Sequence, residues 1–229
     1  MSETIYAIGD IHGCREHLVR LLDKIRPDLE RDRLVFVGDY IDRGPNSRGV
    51  VEYILGLQKN HPPENIICLK GNHEVMLFDF LAGRERELFL FNGGRSTLLE
   101  YWGNRWEPGA ESDLLLPPGH AAFFEGLKRY FETPDYIFVH GGLRPGVPLA
   151  QQEDEDLYWI RGEFIASFED FGKRVIFGHT PFRRPLVMPN KIGIDTGAVY
   201  GNLLTCLQLP EEIFYFASAD SVRGPETGP

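Results

Sequence analysis

Gly38-Asp39-Tyr40-Ile41-Asp42-Arg43-Gly44 sets two carboxylates and a guanidinium between glycines. A carboxylate can bridge two divalent cations, and an arginine fork suits two oxygens of a phosphate. The stretch follows Leu34-Val35-Phe36-Val37, an apolar run that reads as a buried strand. Ligand sites of open α/β sheets lie beyond the carboxyl ends of strands. The arrangement recurs: apolar runs also end at Gly9-Asp10-Ile11-His12-Gly13, Gly71-Asn72-His73-Glu74, His140-Gly141-Gly142 and Gly178-His179-Thr180-Pro181. One such turn is ordinary loop, but five that carry Asp10, His12, Asp39, Asp42, Asn72, His73, His140 and His179 point to a metal site. Mixed oxygen and nitrogen donors suit manganese, iron or zinc better than calcium or magnesium. They are too many for one tetrahedral ion; two ions about 3.5–4 Å apart, sharing one carboxylate, would use them all.

The elements that must position these turns follow from the same pattern. Thr4 to Ile8 reads as a strand, then Leu18, Leu21, Leu22 and Ile25 recur at helical spacing until Pro27. Arg33 to Val37 is the second strand. Val50, Val51, Ile54 and Leu57 mark a second helix, and Ile66 to Leu69 a third strand. Strand, polar turn and helix in repetition argue for parallel βαβ units. Residues 75 to about 132 read as a mostly helical insertion, with Phe123, Phe124, Leu127, Tyr130 and Phe131 predicting one amphipathic helix. Tyr136 to Val139 and Arg174 to Phe177 are further strands, and Lys191 to Ala217 reads as antiparallel strands. Local pattern alone gives a mixed sheet with helices on both faces. A single domain over 1–217 is expected, with 218–229 a disordered tail.

Composition narrows the function. The formal net charge of −10 disfavours nucleic acid and anionic membrane as partners. A phosphate site must therefore make its positive charge locally, and metal ions are the obvious means. No apolar run reaches membrane-span length, and no basic segment precedes an apolar one at the start, so no signal peptide is expected. Three cysteines in unlike contexts fit a reducing cytoplasm. His17, His61 and His120 read as surface or packing histidines, Cys14 as a small packed residue, Glu153 to Asp156 as a solvated loop, and Trp159 as core or cleft wall.

Gly9–Gly13, Gly38–Gly44, Gly71–Glu74, His140–Gly142 and Gly178–Thr180 together resemble the phosphoprotein phosphatase family of metallophosphoesterases, in order and spacing. With Asn92-Gly93-Gly94 and Ile194-Asp195-Thr196-Gly197-Ala198, the chain is most similar to the bacterial and phage serine/threonine phosphatases of the lambda type. The resemblance implies a calcineurin-like α/β fold, a central β-sandwich flanked by helices. It implies that Asp10, His12 and Asp39 bind one metal and Asp39, Asn72, His140 and His179 a second, manganese foremost, with iron or zinc possible. It implies a metal-activated water as nucleophile, Arg43 and Arg161 holding phosphate, His73 protonating the leaving alkoxide, and Asp42 orienting His73. The implied substrate is a phosphorylated protein or small phosphoester. Related nucleases often end with Gly-His-x-His; Pro181 stands at the last position here and disfavours that reading. Symmetrical diadenosine tetraphosphate hydrolases are close relatives that commonly lack an aspartate at the position of Asp42 and tend to have Asp where Glu74 stands, so both positions lean towards phosphomonoesters. A non-catalytic phosphoprotein-binding scaffold would need neither His73 nor Asp42.

Overall fold

Alternation of side chains along the strands divides the apolar residues between two faces. In β1 (Ile5–Ile8), Tyr6 and Ile8 pack with Leu18 and Leu21 of α1 (Arg15–Ile25), while Ile5 and Ala7 join a second cluster. In β2 (Arg33–Phe36), Leu34 and Phe36 likewise meet Val50, Val51 and Ile54 of α2 (Ser47–Asn60), and Val35 turns the other way. The computed structural model describes residues 4–103 and 115–219. Among the described residues the chain continues through β3 (Ile66–Cys68), α3 (Asn72–Leu81), α4 (Arg86–Phe89), α5 (Arg95–Trp102) and α6 (Pro118–Glu125). Then come β4 (Tyr130–Glu132), β5 (Tyr136–Val139), α7 (Asp154–Trp159), α8 (Gly162–Ala166) and β6 (Arg174–Phe177). β7 (Leu186–Val187), β8 (Lys191–Gly193), β9 (Leu204–Leu209) and β10 (Ile213–Ala217) complete it.

Two five-stranded sheets result, ordered β10-β9-β1-β2-β3 and β4-β5-β6-β8-β7. β1, β2 and β3 are parallel, as the βαβ pattern predicts, and so are β5, β6 and β8. Val35, Val37 and Ile67 of the first sheet pack against Phe138, Ile176 and Ile192 of the second in one buried cluster. The molecule is thus a sandwich of mixed sheets with helices outside. Parallel strands in both layers bring their carboxyl ends to one edge. A Cβ on Gly38 would lie 2.8 Å from both Gly71 N and His140 Nδ1, so three strand ends meet there with no room for a side chain. No helix among the described residues is long and apolar enough to cross a membrane.

The structure corrects four local expectations. The predicted helix at 123–131 stops at Glu125, and Tyr130 and Phe131 form edge strand β4, antiparallel to β5 with Phe131 opposite Phe138. Lys128 N–H donates to Cys68 O at 3.0 Å, which pulls this segment against the end of β3. The acidic run is solvated at Glu153, Asp154 and Glu155 but is not a loop: Asp154, Glu155 and Asp156 fill the first turn of α7, where the helix dipole favours them, and Asp156 is buried 2.5 Å from Arg144. The end of the chain is not wholly antiparallel, since β8 runs parallel to β6. His120 lies on α6 rather than in a turn, buried with Nδ1 2.7 Å from the Tyr101 hydroxyl. The tail expected at 218–229 lies, from residue 220, outside the described residues.

Burial separates two phenylalanines cleanly. Phe138→Ala should lower the unfolding free energy by about 3–5 kcal/mol in urea denaturation, because Phe138 is fully buried between the sheets. Phe168→Ala, at 81% exposure, should stay within about 0.5 kcal/mol. Equal effects would contradict the inter-sheet core.

Candidate dinuclear metal centre

The turn after β2 carries the centre of the site. Asp39 Oδ2 lies 3.4 Å from His12 Nε2, and its Oδ1 lies 3.4 Å from His140 Nε2. Potential ligand atoms therefore gather on both sides of one carboxylate: His12, Asp39 and His73 form one group, Asp39, His140 and His179 the other. All five residues are buried.

Second hydrogen bonds fix which imidazole nitrogen is bare, because a carbonyl can only accept. His12 Nδ1–H donates to Ile41 O at 2.8 Å, and His140 Nδ1–H to Val37 O at 2.9 Å, so each offers Nε2 inward. His179 is reversed: Nε2–H donates to Trp159 O at 3.3 Å, leaving Nδ1 inward. Asn72 Oδ1 sits 2.9 Å from both His140 Nε2 and His179 Nδ1. Lone pairs facing lone pairs repel unless a cation lies between them. Burial lowers the pKa of all three imidazoles, His12 to about 3 and His179 to about 2, which keeps them in the neutral form a metal requires.

The carboxylates tell the same story. Asp10 Oδ2 accepts His179 N–H at 2.8 Å, but Oδ1 is buried with no hydrogen-bond partner among the described residues. Burial, then Asp195 and Asp39, hold its pKa well above the ordinary carboxylate range. Asp195 accepts Gly197 N–H at 2.9 Å and is itself pushed up to about 6, chiefly by burial. Crowded buried carboxylates without countercharge are unfavourable, and divalent cations are the natural compensation. Donor chemistry, facing lone pairs and the orphaned Asp10 oxygen all fit a two-metal centre.

His73 stands apart. Its Nδ1–H donates to Asp42 Oδ2 at 2.7 Å, while Nε2 is buried, unpartnered among the described residues, and 4.0 Å from Asp39 Oδ2. Burial works against its charge, but Asp39 and Asp42 outweigh that and raise its pKa above the ordinary value. Its Nδ1 is thus committed to a carboxylate, while Nε2 carries no hydrogen bond among the described residues. Arg43 reaches the site from one side, with Nη1 2.7 Å from His12 Nε2 and its guanidinium over the exposed Tyr200 ring. Arg161, beyond the other group, donates Nη1–H to His179 O at 3.0 Å. The structure thus brings together every residue singled out above.

Sequence reasoning missed what holds them. His12, Asp39, Asp42, Arg43 and His179 all adopt left-handed backbone conformations, with φ between 45° and 72°. Such residues cost of order 1–3 kcal/mol each and persist only where neighbours over-determine them. Glu74 does so at the β2 turn: its buried carboxylate accepts the N–H groups of Gly71, Asp39 and Tyr40 at 2.9–3.1 Å. Its side chain faces backbone rather than the cleft, so its identity reports on this turn and carries no argument about substrate. A glutamate three residues after a helix-capping glycine was the available signal.

Residues 3–200 match the family model for calcineurin-like phosphoesterases. A bis(5'-nucleosyl)-tetraphosphatase PrpE [asymmetrical] of Geobacillus sp. (strain WCH70) is 28% identical, over 89% of each chain. Serine/threonine-protein phosphatase 1 of Salmonella typhimurium (strain LT2) is 31% identical, over 90% of this chain and 91% of the other. The solved structure of a protein serine/threonine phosphatase from Saccharomyces cerevisiae superposes with a TM-score of 0.66 at 18% identity, covering 98% of this chain and 82% of that one.

Two substitutions test the centre. A Cβ on Gly178 would sit 2.1 Å from Asp10 Oδ1. Gly178→Ala removes no ligand, yet bound metal per chain should fall in mass spectrometry after desalting. Asp39→Ala should lose more, since Asp39 serves both groups. Unchanged metal content in Asp39→Ala would refute the shared carboxylate.

Proposed function

The chain belongs to the calcineurin-like phosphoesterase family, and from that premise we propose that it is a serine/threonine protein phosphatase acting on phosphate monoesters. It is a metallophosphoesterase, a hydrolase of a family that depends on two metals. We assign Asp10, His12 and Asp39 to one metal and Asp39, Asn72, His140 and His179 to the other, with manganese the expected ion. Two such cations would supply Lewis acidity and lower the pKa of a water towards neutrality.

The remaining steps belong to side chains. Arg43 and Arg161 flank the centre and would orient the phosphate by charge-assisted hydrogen bonds. His73 would deliver a proton from Nε2 to the departing oxygen, with Asp42 fixing its tautomer and favouring its charged form. The observation that carries the reading is this imidazole: Nδ1 tied to a buried carboxylate, Nε2 unspent. A serine alkoxide is a poor leaving group and needs such an acid. A reducing cytoplasm fits the three free, buried thiols.

A second reading has support from the relatives. Several, at 27–28% identity, are named as tetraphosphatases of the asymmetrical kind, not the symmetrical kind weighed from the sequence. The exposed Tyr200 ring beside Arg43 could stack a nucleobase. A polyphosphate leaving group is less basic than an alkoxide and draws less on His73. The net charge of −10 also opposes a polyanionic substrate. Turnover of a phosphoserine peptide and of a dinucleoside tetraphosphate, side by side, should favour the peptide in kcat/KM; the reverse order would make the second reading the function.

Two variants test the roles. Arg43→Ala should weaken inhibition by phosphate and vanadate by about 1.5–3 kcal/mol, and lysine should restore little because it lacks the fork. Unchanged inhibition removes Arg43 from the phosphate site. His73→Asn should lose most of a general-acid factor of about 10²–10⁴ on the phosphoserine peptide. Its loss on nitrophenyl phosphate should be distinctly smaller, with metal content retained. Equal losses on both would exclude the acid role, and loss of metal would make His73 a ligand.

A further inference from the structure

Asp42 has a partner besides His73, and it comes from the helical insertion. Thr97, on α5 and 55 residues away in sequence, donates its hydroxyl hydrogen to Asp42 Oδ1 at 2.6 Å. The direction of that bond is fixed. Asp42 N–H already points at the Thr97 hydroxyl oxygen at 3.0 Å, so the hydroxyl accepts there and must send its single hydrogen elsewhere. The alternative acceptor, Ser47 Oγ, is farther at 3.3 Å and itself receives Asp42 N–H at 3.0 Å. Sending the hydrogen to Ser47 would leave a fully buried carboxylate oxygen unpaired, at high cost.

Thr97 therefore sets two things at once. It occupies Oδ1, so the carboxylate plane cannot turn and Oδ2 stays on His73 Nδ1. It also shares with Ser47 the N–H of a residue in a left-handed conformation, φ 72°. We propose that Thr97 is a positioning residue for proton delivery, the means by which the insertion aims His73 at the leaving group. This rests on His73 being the acid, and it extends that reading to a residue outside the strand-end turns. Thr97 touches neither the proposed metal ligands nor the arginines in any of these bonds, so its influence should fall on the leaving group and spare phosphate binding.

The test uses the full chain and an isosteric pair. Thr97→Val keeps shape and removes the hydroxyl; Thr97→Ser keeps the hydroxyl. Valine should lower kcat on a phosphoserine peptide about tenfold, with KM and metal content unchanged and a smaller loss on nitrophenyl phosphate, and serine should restore the rate. A readout independent of turnover is the downfield N–H proton of His73 by NMR in the zinc-loaded protein, assigned by its disappearance in His73→Asn. It should shift or broaden in Thr97→Val and return in Thr97→Ser. Thr97→Val leaving that resonance and the peptide rate unchanged would overturn the proposal. So would equal losses on both substrates that serine does not restore. If the wild-type chain hydrolyses neither substrate, the proposed function fails, while the resonance still decides the role of Thr97.

Discussion

Asp39 can face both halves of the site only because its backbone is held where a non-glycine residue rarely goes. With φ at 53°, the turn after β2 presents one carboxylate oxygen to His12 and the other to His140. Left alone, such a turn would relax to an ordinary conformation. It is held from outside: the Glu74 carboxylate takes the N–H groups of Asp39 and Tyr40, and Asp39 O accepts the N–H groups of Ile11 and His12. The other strained site residues follow the same rule. Arg43 N–H goes to Gly93 O, and His179 N–H to Asp10. Each bond crosses from one element to another, so the site is a property of the assembled sandwich edge and of no single loop.

That explains what the sequence could and could not reveal. The strand-end turns were legible because each joins an apolar run to glycine and a donor side chain, and parallel strands must end on one edge. The partition of Tyr6 and Ile8 from Ile5 and Ala7 follows from the period of two. The supporting contacts were hidden because they join residues far apart in sequence. Nothing local distinguishes Thr97 from a surface threonine, and nothing near Glu100 says that its carboxylate accepts the N–H groups of Ser47 and Arg48 at the start of α2. Tyr130 and Phe131 misled for a related reason. Their spacing from Phe123 and Phe124 fits a helix, but the segment pairs with β5 instead, where its backbone groups find partners.

The site also divides its charge by depth. Asp10, Asp39 and Asp42 are sealed in the interior, where charge is costly and effective, whereas Arg161 lies nearer the rim.

Gly93 and helix α5 attach the helical segment to the core at three points: Gly93 O on Arg43, Thr97 on Asp42, and Glu100 on the first residues of α2. Those contacts constrain any exchange of this segment for another. Here a transplanted segment would have to reproduce all three anchor points in register. Grafting from a relative should therefore begin at the Asn92-Gly93-Gly94 bend and carry α5 whole.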